Sequence, residues 1–226
     1  MSIHDGHRQR LKNRFLNEGL DNFEEVQVLE LLLFYCIPRQ DTNPIAHALL
    51  DRFGSLSQVL DAQPEELKKI PGISDATATF LPLVTAAGRY YLVNRTASFS
   101  PLTSVEKCGE YLLPRFHGRR NETVFVLCLD AKCKVICCKE VGEGSVNSAA
   151  VPIRKIVEIA LNSNATSVVI AHNHPSGLAL PSPEDEHTTA KVAKALAAVD
   201  IELADHIIVA DDDYVSLAQS GRIYRN

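Results

Sequence analysis

The chain has 226 residues, 46% of them hydrophobic and 23% charged, with a net charge of −5 at neutral pH. That composition suits an ordinary globular protein with one large domain or two small ones, and no apolar run reaches the roughly 20 residues that span a bilayer. The start, MSIHDGHRQRLKNRF, is polar and lacks the apolar stretch of a secretion signal, so the expectation is a cytoplasmic protein without membrane contact.

Neither half is basic. Up to Ser98 there are 10 Lys and Arg against 12 Asp and Glu, and beyond it 13 against 16. Strong non-specific binding to nucleic acid, which rests on phosphate neutralisation, is therefore not supported. The local exception is Arg8, Arg10, Lys12 and Arg14, opposed only by Asp5. The six cysteines form no CxxC pair, and Cys137 adjoins Cys138. They read as reduced structural residues rather than as a zinc ribbon or a disulfide framework.

In chain order, the first 95 residues read as helices. GHRQRLKNRFLNEG is followed by EEVQVLELLLFY, where Val26, Leu29 and Leu33 repeat at helical spacing. Asn43-Pro44 reads as a capping residue followed by proline at the first helical position. IAHALLDRF then runs to Gly54, and SLSQVLDA and PEELKKI lead into a long helix from about Asp75. The turn-rich stretch Asn94–Ser104 marks the expected domain boundary.

Beyond it the pattern becomes mixed. The helix VEKCGEYLLPRF precedes the strand TVFVLCLD, a tight turn at Ala131-Lys132, and the strand KVICCKEV, together a hairpin. Pro152 to Asn162 is amphipathic, with Ile153, Ile156, Val157 and Ala160 on one face. SVVIAH is a buried strand, PEDEHTTAKVAKALAAVD a helix, ELADHIIVA a strand and YVSLA a short closing strand.

The chemistry gathers where Val168-Val169-Ile170-Ala171 ends. His172 and His174 are two residues apart on a strand and so share a face. The Pro-, Ser- and Gly-containing loop after them can bring Asp185 back to the same point. Two imidazoles and a carboxylate leave a fourth tetrahedral position for water, the arrangement of a catalytic zinc site. A hydrolase of this kind also needs a base that is not a ligand, and a donor for the developing oxyanion. Ser182, three residues before Asp185, is a candidate donor. Ser182-Pro183-Glu184-Asp185 equally reads as a capped helix start, and both readings can hold together.

His-x-His, seven residues, Ser, two residues, Asp matches the JAMM (MPN+) metalloprotease signature. The fuller string HNHPSG, with ADHIIVA and YVSL downstream and HRQRL, ELLLFYCIPRQDTNP, RFGSL and PGIS upstream, resembles the bacterial RadC family over essentially the whole chain. The resemblance implies an α+β protein: a helical N-terminal domain over residues 1–95 and a JAMM/MPN, cytidine-deaminase-like α/β domain over 101–226. It implies a Zn2+ cofactor held by His172, His174 and Asp185, Glu122 as general base and Ser182 as oxyanion donor. Glu140, Glu143 and Glu158 also lie upstream of His172, but only Glu122 occupies the family's position. The implied activity is hydrolysis of a peptide or isopeptide bond in an unidentified protein or peptide substrate.

The alternative is a DNA-associated repair or recombination factor. Leu67 to Ser74, with the helix after it, resembles a helix-hairpin-helix, although Ser74 stands where the family usually has its second glycine. A helix pair used for packing or protein contact fits the same residues. Asn173, between the two histidines, is expected to point away from the metal and to serve in hydrogen bonding or loop structure. Asp205 or His206, which also fits the RadC resemblance, could orient a ligand, but the pair reads first as a satisfied core pair, and His187 as exposed.

Overall fold

Leu29, Leu33, Ile45, Leu49, Val59, Leu67, Ile70 and Leu81 recur at helical spacings, and all are buried together. A computed structural model describes residues 3–96, 101–144, 151–175 and 177–223. The expected boundary stretch, Asn94–Ser104, lies partly outside these residues. The chain divides into two compact units, Met1–Gly88 and Arg89–Asn226.

The first unit contains helices α1 (Ile3–Glu18), α2 (Glu25–Cys36), α3 (Asn43–Phe53), α4 (Leu56–Leu60) and α5 (Pro64–Leu67) and the start of α6 (Asp75–Thr96), which runs on past Gly88. Asn43 is not the cap of α3. It is the first helical residue, Thr42 precedes it as N-cap, and the Asp41 carboxylate accepts the Asn43 N–H at 3.1 Å. The proline is then second in the helix, a position where no intrahelical N–H is required.

Part of the basic cluster is engaged inside this unit. Arg8 Nη2 donates to the carbonyls of Ile37 (2.6 Å) and Gln40 (2.5 Å), closing the C-terminal end of α2. Arg14 donates to the Asn22 carbonyl at 2.5 Å and to Gln27 Oε1 at 3.1 Å. At the hairpin-like turn, Ser74 Oγ accepts the Thr77 N–H at 3.3 Å. The exposed Asp75 carboxylate at the start of α6 pairs with Lys68 at 3.2 Å.

The second unit holds α7 (Val105–Leu112) with a 3₁₀ turn after it, β1 (Glu122–Leu129), β2 (Val135–Gly144), α8 (Ile153–Asn162), β3 (Ser167–Asn173), α9 (Pro183–Ala197), β4 (Glu202–Ala210) and β5 (Asp213–Ser216). The sheet order is β2-β1-β3-β4-β5. β1 is antiparallel to β2 and β3, β3 and β4 are parallel, and β5 is antiparallel to β4. The β1–β2 turn is fixed by Asp130 Oδ1, which accepts the Lys132 and Lys134 N–H groups, and by Cys133 at φ +56°.

Strand alternation sorts the central sheet into two faces. Val124, Val126, Cys128, Val168 and Ile170 meet Ile156 and Ala160 of α8 and Val192 and Leu196 of α9. Phe125, Leu127, Leu129, Val169 and Ala171 meet Cys108, Tyr111 and Leu112 of α7. The result is an α+β protein whose second unit is a mixed five-stranded sheet with helices on both faces. All six cysteines are free. Burial pushes the Cys108 and Cys138 thiols up to about 11 and that of Cys128 up to about 12. No described helix is long and apolar enough to cross a membrane.

Gly72 sits at φ +92° in the turn before α6, and a Cβ there would lie 2.8 Å from Ile45 Cδ1. Backbone strain and overlap act together in Gly72→Ala, which is expected to cost about 1–3 kcal/mol. Denaturant titration of the whole chain reads this as a lower midpoint for the N-terminal unit. An unchanged midpoint would contradict the assigned turn.

Candidate metal centre

β3 is a central strand with β1 on one side and β4 on the other, so its apolar residues are buried throughout. Its last turn of the pleat places His172 on the face covered by α8 and α9, at 2% exposure. The chain leaves the sheet after Asn173. His174 is held at that exit by its N–H, which donates to the Val209 carbonyl of β4 at 2.8 Å. The Gly177 N–H donates to the His174 carbonyl at 3.1 Å, with Gly177 at φ +83°.

The loop returns to the sheet at the start of α9. There Ser182 and Asp185 form a reciprocal capping box: Ser182 Oγ accepts the Asp185 N–H at 3.1 Å, and Asp185 Oδ2 accepts the Ser182 N–H at 2.8 Å. The Ser182 hydroxyl also donates to Asp185 Oδ2 at 2.7 Å. The helix cap and the proposed ligand are thus one construction, which fixes the carboxylate to the first turn of α9.

These elements bring three donor groups together. His172 Nε2 lies 2.9 Å from His174 Nε2 and 3.1 Å from Asp185 Oδ1, and His174 Nε2 lies 3.4 Å from Asp185 Oδ2. Among the described residues, His172, His174 and Asp185 form the group of His, Cys, Asp or Glu side chains close enough to share one ion, with ligand atoms within 4.8 Å of one another. A tetrahedral shell with bonds of about 2.0–2.2 Å separates neighbouring ligand atoms by roughly 3.3–3.6 Å; the 3.4 Å separation matches this, and the 2.9 Å and 3.1 Å separations are shorter.

The donor set fits zinc chemically as well. His174 Nδ1 faces the Leu178 carbonyl at 3.1 Å. A carbonyl can only accept, so this nitrogen carries a proton and the neutral ring leaves Nε2 with its lone pair facing the cluster. Burial raises the pKa of Asp185, but the adjoining His172 and His174 rings and the Ser182 hydroxyl outweigh it and hold the carboxyl below the usual range. The neighbouring Asp185 carboxylate raises the pKa of His174, burial opposes it, and the Glu122 charge adds to the rise.

Glu122 opens β1. It shares a sheet face with Val124, which stands directly opposite His172 across the β1–β3 ladder. The other upstream glutamates are placed differently. Glu140 pairs with Arg119 at 2.7 Å, Glu143 accepts from Asn121 at 3.0 Å, and Glu158 is exposed on α8. His187 is exposed on α9, as expected.

Asn173 and the Asp205-His206 pair take definite partners. Asn173 points away from the cluster and clamps the backbone on both sides of Glu122. Its Oδ1 accepts the Thr123 N–H at 2.8 Å, and its Nδ2 donates to the Asn121 carbonyl at 3.1 Å. The Asp205-His206 pair is divided in its work. Asp205 accepts from Ser216 Oγ (2.6 Å) and from the Ala218 N–H (3.0 Å), tying down the end of β5. His206 instead meets the proposed ligand His172, with His206 Nε2 2.8 Å from His172 Nδ1. Burial pushes the pKa of His206 well below the ordinary histidine value.

A family model for the RadC-like JAB domain matches residues 102–222, which cover the whole cluster and its supporting strands. The chain belongs to the RadC family. A UPF0758 protein of Fusobacterium nucleatum is 35% identical over 96% of this chain and 97% of its own length. UPF0758 proteins of Ruegeria pomeroyi (34% identical; 95% of this chain, 96% of that protein) and Paraburkholderia phytofirmans (37% identical; 93% and 81%) are similar across the same span. The RadC match places the chain in relation to the JAMM proteins, and the helical first unit and mixed sheet are consistent with a JAB/MPN domain.

Asn173 is 5% exposed, so Asn173→Ala leaves one buried N–H and one carbonyl without their partner. The expected loss is about 1–3 kcal/mol in chemical denaturation, with zinc content unchanged, because no ligand atom is touched. An unaltered denaturation midpoint would contradict the clamp.

Proposed function

We propose that this RadC-family protein is a zinc-dependent hydrolase of peptide or isopeptide bonds. The observation that carries the reading is the convergence of His172 Nε2, His174 Nε2 and Asp185 at 2.9–3.4 Å, with Glu122 on the same sheet face and outside the ligand set. Zinc held by these three residues would lower the pKa of a water towards neutrality and polarise a carbonyl.

The chain's own groups supply the remaining steps. The Glu122 carboxylate takes the proton of the attacking water and delivers it to the departing amine. Asn173 keeps Glu122 at the mouth of the site through the backbone on either side of it. The Ser182 hydroxyl, now donating to Asp185 Oδ2, turns by rotation about its Cα–Cβ bond to donate to the developing oxyanion. The Asp185 carboxylate remains tied to the Ser182 N–H when it does so. Exposed Leu178 and Leu180 lie in the loop between His174 and Asp185, giving a protein or peptide substrate an apolar contact beside the site.

Two substitutions separate binding from chemistry. His174→Ala is expected to abolish stoichiometric zinc, read as the metal-to-protein ratio by mass spectrometry. An unchanged ratio would sink the site. Glu122→Gln is expected to keep zinc while lowering cleavage of a fluorogenic peptide library by at least about a hundredfold. Full activity in that variant would remove Glu122 as the base.

A further inference from the structure

We infer that His206 and Thr189 are positioning residues: they form a one-way hydrogen-bond relay that sets the tautomer of His172, so that its Nε2 faces the metal position without a proton. The relay runs through three contacts. His172 Nδ1 lies 2.8 Å from His206 Nε2, His206 Nδ1 lies 2.6 Å from Thr189 Oγ1, and Thr189 Oγ1 donates to the Asp185 carbonyl at 2.5 Å.

The direction follows from the end of the chain. A backbone carbonyl can only accept, so the single Thr189 proton goes to Asp185. Thr189 Oγ1 must then accept, which puts a proton on His206 Nδ1. His206 is 1% exposed, Thr189 1% and His172 2%, so no solvent supplies an alternative partner. The His206 nitrogens face an imidazole and a hydroxyl, and neither partner is an anion that would pair with a charged ring. Its Nε2 is therefore bare and accepts from His172 Nδ1–H. The proton of His172 is thus on Nδ1, and Nε2 is the nitrogen left for a cation.

An unconstrained imidazole favours the opposite tautomer, with its proton on Nε2, which would block coordination. The relay removes that competitor. It also couples two of the proposed ligands, since it starts at the ring of His172 on β3 and ends on the main chain of Asp185 in α9. His174 reaches the same tautomer by a separate route, through the Leu178 carbonyl.

The inference rests on the metal site proposed above for its affinity arm, while its tautomer arm needs no metal. In long-range 1H–15N spectra of the metal-free full-length protein, His172 is expected to show a protonated Nδ1, and His206 a protonated Nδ1 with a bare Nε2. A bare Nδ1 on His172 overturns the inference, whatever the protein does with zinc.

In competition titrations of Zn2+ against a chromophoric chelator, Thr189→Val keeps the side-chain shape but removes the hydroxyl. It is expected to weaken binding by roughly tenfold to a hundredfold, the usual penalty for losing support behind a ligand. Thr189→Ser, which restores the hydroxyl, is expected to stay near the wild-type affinity. Equal affinities for Thr189→Val and wild type overturn the relay. A wild-type protein that binds no zinc refutes the proposed function but leaves the tautomer spectra as an independent decision on the relay.

Discussion

A histidine can hold a cation only through a ring nitrogen that carries no proton, and the surroundings of the His172–His174–Asp185 cluster answer to that requirement. Left to themselves, two bare imidazole nitrogens and a carboxylate would not rest at 2.9–3.4 Å from one another, because their lone pairs repel. The protein holds them there with further bonds to each group. His174 is anchored through the Leu178 carbonyl, Asp185 through the Ser182 cap, and His172 through His206.

The sheet explains why these anchors are rigid. β3 lies between an antiparallel and a parallel neighbour, so the strand carrying His172 is fixed on both edges. The parallel pairing of β3 with β4 needs a crossover, and α9 supplies it while presenting Asp185 in its first turn and Thr189 one turn later. The same crossover that closes the fold therefore delivers one ligand and one support. The antiparallel pairing of β1 with β3 sets Val124 opposite His172 and leaves Glu122 at the neighbouring end of the strand. Apolar packing on both faces fixes the sheet itself, and the polar groups at its end add position rather than bulk stability.

What could be read in the sequence was what depends on short spacing. His172 and His174 share a face because strand residues alternate, and Ser182 and Asp185 sit three apart because a capping box requires it. The hairpin, the amphipathic α8 and the buried β3 follow from periodicities of two and 3.6. The roles of His206 and Asn173 depend instead on strand register. His206 stands beside Ile170 in the β3–β4 ladder, and no local pattern announces which residues will be neighbours across a parallel pair. Glu122 was assigned through family resemblance for the same reason. The cap of α3 went astray by one residue because Asp41, two positions before Asn43, satisfies the helix start in its place.

The proposed site holds a zinc ion through two imidazoles, one carboxylate and a water. X-ray absorption at the zinc K-edge of the loaded protein reads that shell. The expected spectrum has four nitrogen or oxygen neighbours at about 2.0–2.1 Å, with the outer-shell scattering of two imidazole rings. A sulfur neighbour at about 2.3 Å, drawn from any of the six cysteines, or a shell without imidazole scattering, would contradict it.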